Sequence, residues 1–369
     1  MKTIFYGVLG ILLTVMISGC TLNLSQPTPA AFTGATPSLN PATAAPLPWA
    51  DLNLSGRLVY LTAQPEGEHL SMDIRLLDLT SGAVSVLYHG LPGGIVYSAT
   101  TSPDAKQMIF AYSPPPGANQ SAHQGLYQMP LDGSQPPQLF IHPPTPDDEY
   151  LHPEWSPDGQ YIYFAHVNYQ RPPEQGQMYP FYELYRMAYP SGTPQKLADR
   201  AYWPRLAPDM SQLVYITLDP FTGKNQLFLA NPDGSNATTI TLSGSAPLDI
   251  IDAPLFAPNG KSLLFSVPVP EQVYEPIAPT WVEKIFGVGV ASAHAIPSDW
   301  WSAPLTGGPA TQLTQIQGIG LFGSVSPDGK YIASYNGSAG VFVMNPDGTG
   351  LMMIVNGVGG MPGTVRWIP

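Results

Sequence analysis

The sequence predicts an all-β protein built as a closed ring of six like units, and three observations predict it. Proline and glycine, at 43 and 36 residues, make up about 21% of the 369-residue chain, against ~12% in average usage. Hydrophobic residues reach 44% while charged residues are only 11%, so a core can form where a charge-rich disordered chain could not build one. One turn-and-strand pattern recurs along the chain at spacings of 54, 51, 50 and 69 residues, which marks a repeat architecture. Long helices are excluded, because proline costs ~3 kcal/mol in a helix interior. A formal net charge of −12 offers no basic patch for phosphates, so no nucleic acid is expected as a partner. The single cysteine excludes an intramolecular disulfide.

The chain begins Met1-Lys2, and residues 4–17 are an uncharged, mostly apolar run. That run is too short to span a bilayer, which takes roughly 20 residues, and has the form of a secretory signal. It ends Ile17-Ser18-Gly19-Cys20, which resembles the bacterial lipoprotein box. The resemblance implies a signal peptide over residues 1–19 and lipidation of Cys20, with several acyl chains that hold the protein stably on a membrane. Residue 21 is Thr, so nothing resembles the Asp that retains many such proteins at an inner membrane. Loss of residues 1–19 removes Lys2 and leaves a net charge of −13. Residues 20–50 follow as a Pro/Thr/Ala-rich segment without charge before Asp51. Such a composition reads as a linker, averaging about 30 Å as a coil.

Residues 51–369 are expected to form the folded body. A first motif, small-Pro-Asp/Asn followed by a β run, occurs at Ser102-Pro103-Asp104, Ser156-Pro157-Asp158-Gly159, Ala207-Pro208-Asp209, Ala257-Pro258-Asn259-Gly260 and Ser326-Pro327-Asp328-Gly329. Proline presets φ, Asp or Asn caps its own backbone, and Gly accepts positive φ, which makes each a tight turn. A second motif, a β run closing on a turn, ends at Gly82, Gly133, Gly192, Gly234, Gly308 and Gly348. The first motif appears five times and the second six. The sixth copy of the first is split: the C-terminal Thr364-Val365-Arg366-Trp367-Ile368-Pro369 aligns with His152 to Pro157, and Gly56-Arg57-Leu58-Val59-Tyr60 aligns with Gly159 to Tyr163. Pairing of the last strand with the first closes the ring and removes exposed sheet edges.

These residues resemble the TolB-like Pro-Asp repeat, a WD40-like motif, over about residues 56–369. The resemblance implies a six-bladed β-propeller of four-stranded blades with an N-plus-C composite closing blade. Counting strands a to d outward from the bore, the Pro-Asp turns join a to b and the second motif joins c to d, so both lie on one face. The b–c and d–a connections lie on the other face and vary in length, as binding loops on a rigid scaffold do.

In the d–a loops the position ten residues before the motif's Asp or Asn holds Gly94, Asp148, Asp199, Asp249 and Gly318. Asp148, Asp199 and Asp249 thus recur in three neighbouring repeats, with Glu149 and Asp252 close by and Arg200 as the local counter-charge. The arc is expected either to take a cation such as Ca²⁺ or a basic segment of a partner, or to cap its own loops; no other cofactor is expected. The fifth b–c connection, an insert over about residues 268–299, is long for a structureless loop. Thr280-Trp281-Val282-Glu283 fits a capping box, and a helix over 281–294 would carry Trp281, Ile285 and Phe286. That apolar face suits a cap over the bore, a protein partner or a membrane.

No G-x-S-x-G or H-E-x-x-H is present, so the hydrolase and zinc-peptidase motifs are lacking. His69, His123, His142 and His152 fall on or near the loop face, and oligogalacturonate lyases are propellers of related repeats with a His-rich metal site, which keeps a metal-dependent enzyme as an alternative. Tyr169, Tyr179, Tyr182, Phe221, Trp281 and Trp300 on or near the loops could stack on a sugar or peptide. The leading expectation is a non-catalytic, membrane-anchored extracytoplasmic module that binds a protein partner in the cell envelope as a monomer. A carbohydrate or peptide sensor is the alternative.

Overall fold

The computed structural model describes residues 47–115, 124–145, 148–171, 179–270, 296–359 and 363–369. Cys20, the signal, linker residues 20–46, His123, His294 and the insert residues Trp281, Ile285 and Phe286 lie outside the described residues, whereas residues 47–50, expected as the end of the linker, belong to the folded body, with Trp49 buried. Apart from one 3₁₀ turn at Ala50–Leu52 the described elements are strands. No helix among the described residues is long and apolar enough to cross a membrane.

Six four-stranded antiparallel sheets form the blades of a propeller. From the inside outward, blade 1 is Val365–Ile368, Arg57–Glu66, His69–Asp78 and Val84–His89. Blade 2 is Ile95–Thr101, Gln107–Ser113, Gly125–Pro130 and Gln138–Ile141. Blade 3 is Glu149–Trp155, Tyr161–Gln170, Tyr179–Ala188 and Gln195–Asp199. Blade 4 is Ala201–Leu206, Leu213–Leu218, Asn225–Ala230 and Thr238–Thr239. Blade 5 is Asp252–Phe256, Ser262–Pro268, Ser298–Pro304 and Thr311–Gln312. Blade 6 is Phe322–Val325, Ile332–Asn336, Gly340–Met344 and Met352–Asn356. In blade 1 the C-terminal strand pairs with the N-terminal one, Leu58 opposite Trp367 and Tyr60 opposite Val365. A parallel pair, Leu242–Ser243 with Gly308–Pro309, ties the outer edge of blade 4 to blade 5.

Each second strand is packed on both faces by neighbouring blades, which explains runs such as QMIFAYS with five consecutive buried residues. The innermost strands do different work. Those of blades 2 to 5 carry register shifts, and in blades 3, 4 and 5 the bulge places His152, Trp203 and Ala253 at φ 50°, 57° and 51°. Bulges bend a strand and re-aim its side chains, here into the bore. Hydroxyls stitch neighbouring innermost strands together: Ser98 accepts from the His152 amide at 3.1 Å, Thr100 from Trp155 at 3.2 Å and Ser324 from Trp367 at 2.9 Å.

The Pro-Asp turns repeat one hydrogen-bond scheme. Ser102 Oγ donates to Asp104 Oδ1 at 2.6 Å and accepts the Gln107 amide at 2.9 Å; Ser156 with Asp158 and Ser326 with Asp328 do the same. Where Ala207 and Ala257 replace that serine, the acceptor takes a later one: Ser211 donates to Asp209 and Ser262 to Asn259. The motif's glycine occupies left-handed φ, as at Gly329 (71°), whereas Ala105 and Met210 adopt 54° and 61° with a Cβ in the way. Residues 47–56 dock on this turn face: Trp49 Nε1 donates to the Leu79 carbonyl at 2.8 Å and Trp367 Nε1 to that of Ser55 at 2.9 Å. The chain therefore enters the folded body opposite the b–c and d–a loops.

Candidate functional site

At the loop-face end of the bore, side chains of blades 2 to 5 form a tyrosine-lined acidic mouth. Asp252, the first residue of the innermost strand of blade 5, is 2% exposed. Tyr202 donates its hydroxyl to Asp252 Oδ1 at 3.0 Å, and Oδ2 has no donor among the described residues. Asn225 fixes the backbone just before it, exchanging two 2.7 Å bonds with Ile251. Burial of an unpaired carboxylate disfavours its charge, and it pushes Asp252 up to about 7 against the smaller pull of the Tyr202 hydrogen bond. Glu149 follows the same rule: burial raises it above the usual carboxylate range, although Tyr169 donates to its Oε2 at 3.2 Å. Tyr182 lies against the Tyr202 ring at 4.8 Å between centroids. Its hydroxyl is raised by burial and then by the charges of both Glu149 and Asp252. The mouth therefore holds two carboxylates that have no basic partner among the described residues and whose charges both act on one tyrosine.

The structure gives the rest of the expected arc separate partners. Asp148 is buried, accepts from Asn168 Nδ2 at 2.6 Å and lies 3.2 Å from His166 Nε2. Burial alone would raise it, but those bonds hold it below the ordinary value. Asp199 ends the outermost strand of blade 3, its side chain 76% exposed, with Lys196 Nζ at 2.8 Å. Asp249 meets Lys224 at 2.8 Å, and that lysine keeps it below the ordinary value. The partners are thus His166, Lys196 and Lys224, whereas the charge of Arg200 acts on Asp219, and among the described residues the three aspartates share no common partner. Among the described residues no group of three His, Cys, Asp or Glu has metal-holding geometry.

Of the loop histidines, His69 and His142 are exposed, whereas His152 stacks on Trp203 at 4.4 Å and 13° inside the bore. His166, between Asp148 and Glu183 at 3.2 and 3.3 Å, belongs to the scaffold of blade 3. The expected aromatics divide. Trp300 is a correction: it is fully buried and donates from Nε1 to Ser334 at 2.8 Å, so it is core. Its alternate-facing position in a strand packed by the neighbouring blade decides that. Phe221 is 47% exposed and packs edge-on with Tyr179 and Phe181 at 5.2 and 6.0 Å, which places an aromatic patch on the loops of blades 3 and 4.

Tyr202, Asn225 and Tyr97, whose hydroxyl is raised by burial and then by the charge of Glu149, were not singled out by the sequence. A register signal was available for two of them. Tyr97, Tyr202 and Asp252 each stand seven residues before the Asp or Asn of the following Pro-Asp turn. The position three residues earlier in the repeat drew the eye to Asp148, Asp199 and Asp249 instead.

No family model matches the chain, and no curated protein matches it. Among solved structures it is similar to TolB from Acinetobacter baumannii, with 16% identity and a TM-score of 0.56, covering 85% of this chain and 67% of that one. It is also similar to an oligogalacturonate lyase from Vibrio parahaemolyticus, with 11% identity and a TM-score of 0.47, covering 82% and 87%. At these identities the TolB likeness shows the six-bladed fold alone, and function must be argued from the site.

Proposed function

We propose that this protein is a lipid-anchored, extracytoplasmic, non-catalytic binding module whose loop-face mouth takes a basic segment of a protein partner in the cell envelope. The observation that carries this reading is the pair Asp252 and Glu149, one buried and one half-buried carboxylate, both raised by burial with no basic partner among the described residues to offset it. A lysine or arginine side chain entering between the tyrosines would supply that charge, and the rings would supply its apolar and cation–π contacts. The Ser-Gly-Cys20 box and linker support anchoring, and docking of residues 47–56 on the turn face leaves the opposite face to a partner. A second reading, a reader of sugars or peptides, is favoured by the exposed Phe221 patch.

Calorimetric titration of the full chain with a lysine-rich peptide, and separately with Ca²⁺ and Mg²⁺, tests the main reading. The peptide is expected to give heat with the wild-type protein and with a triple Asp148, Asp199 and Asp249→Asn variant, and none with Asp252→Asn/Glu149→Gln. Equal peptide heats for all three proteins would overturn the reading. Heat from Ca²⁺ or Mg²⁺ that is lost with the triple variant would assign the arc to a metal.

A further inference from the structure

The bore is divided by an aromatic layer. Trp203 of blade 4 is fully buried, stacks on His152 of blade 3 and reaches Phe322 of blade 6 at 5.3 Å between centroids. On the loop side of this layer lies the acidic mouth. On the turn side the chemistry reverses. Two residues further along the innermost strands, Glu154 Oε2 accepts from Arg205 Nη1 at 2.9 Å and from Arg366 Nη2 at 2.5 Å. The Arg366 Nε donates to the Ala99 carbonyl at 3.0 Å, and Arg205 Nη1 also reaches that of Pro204 at 3.1 Å.

Three features make this more than a structural tie. First, two guanidinium groups face one carboxylate, a net charge of +1 inside a chain whose formal net charge is −12. Second, Nε and Nη2 of Arg205 and Nη1 of Arg366 have no protein acceptor among the described residues. Third, the side chains keep 11%, 13% and 12% exposure for Arg205, Arg366 and Glu154, so solvent reaches the level where the spare donors lie. A deeply buried charge without a partner is costly, and a planar guanidinium fork matches a carboxylate in geometry and charge. The remaining positions of the same register are uncharged: Thr100, Leu255 and Ser324.

We propose that the turn-side end of the bore binds a small monovalent anion of the carboxylate type, held between Arg205 and Arg366. Glu154 sets the affinity by competing for the same donors and by limiting the site to one uncompensated positive charge. Acetate is the simplest ligand of this class, and chloride is a spherical competitor that uses the charge without the fork.

Chloride NMR line broadening by the full chain, with acetate and then phosphate as displacing ions, tests the site. The expected wild-type result is saturable broadening reversed by acetate. Arg205→Gln and Arg366→Gln should abolish it, whereas Arg186→Gln, on the outer part of blade 3, should leave it intact. Glu154→Gln should tighten binding about tenfold, since it removes the competing charge at close range. Arg205→Lys should keep chloride broadening but weaken displacement by acetate. Misfolding would lose binding in every variant, so the gain in Glu154→Gln cannot come from it. No saturable broadening in the wild type, or unchanged or weaker binding in Glu154→Gln, would overturn the proposal. Displacement by phosphate at lower concentration than acetate would overturn the carboxylate assignment.

Discussion

The two faces of the ring use carboxylates in opposite ways. On the turn face each aspartate is short-range furniture. Asp104 and Asp328 accept from the serine two residues earlier and from amides of their own turn, and the serine hydroxyl holds each below the ordinary carboxylate value. On the loop face Asp252 has, among the described residues, one donor and no cation, it sees almost no solvent, and burial carries it up to about 7. The same residue type is therefore a stabilising cap at one end of a blade and a stored cost at the other. Carboxylates shifted by burial in this way cluster at functional sites, and that tendency is what the proposed function rests on.

The largest test of that contrast is Asp252→Asn. In the unfolded chain an aspartate titrates near 3.8, and in the folded one Asp252 titrates at about 7. Between these values the folded state holds the extra proton, so stability falls as pH rises across the window and the full cost, on the order of 4 kcal/mol, stands above it. Asp252→Asn should thus melt higher than wild type at pH 8 and nearly with it at pH 4, as read by denaturant unfolding at both pH values. A variant less stable than wild type at pH 8 would break the contrast.

The turn face should answer with the opposite sign. Ser326→Ala removes the donor that holds Asp328 low and should cost about 1 kcal/mol at neutral pH. Because the folded Asp328 titrates below its unfolded value, that contribution is present above the unfolded pKa and is lost as pH falls. Unfolding curves at pH 7 and pH 3 should show the penalty shrinking in acid.

A third carboxylate sharpens the comparison from within the loop face. Asp73 is as buried as Asp252, at 1% exposure, but it has Arg75 at 2.8 Å and His89 Nδ1 at 2.6 Å. His89 is raised in return, chiefly by the Asp73 hydrogen bond. Its contribution is complete below the unfolded histidine pKa and lost as pH rises through the folded one. His89→Asn should therefore lower the melting temperature at pH 6 more than at pH 9. The smallest expected effect belongs to Ala105→Gly, which relieves a left-handed φ of 54° and should gain about 0.5 kcal/mol at the turn.

Fold and site were unequally legible. Ser-Pro-Asp-Gly and the short apolar runs are local signals, so the turns and the closed six-fold repeat could be read from spacing, and the resemblance to a known repeat supplied the propeller blades. The mouth is non-local. Tyr202 and Asp252 lie 50 residues apart, and their hydrogen bond exists because two innermost strands stand side by side. Register found the right loops but favoured Asp199 and Asp249, which solvent and nearby lysines already satisfy. Burial, which sequence does not display, separates them from Asp252. Arg205 and Glu154 were hidden for the same reason, since a register column matters only once it is known to face the bore.

The central claim is that Asp252 holds a proton in the free protein and gives it up when a basic group docks. Calorimetry of a lysine-rich peptide binding to the full chain at pH 6.5, in two buffers of different ionisation enthalpy, counts that proton. The account predicts release of between about half and one proton per peptide from the wild type, and none attributable to this site from Asp252→Asn. Binding with no proton release, or with the same release from Asp252→Asn, would contradict it.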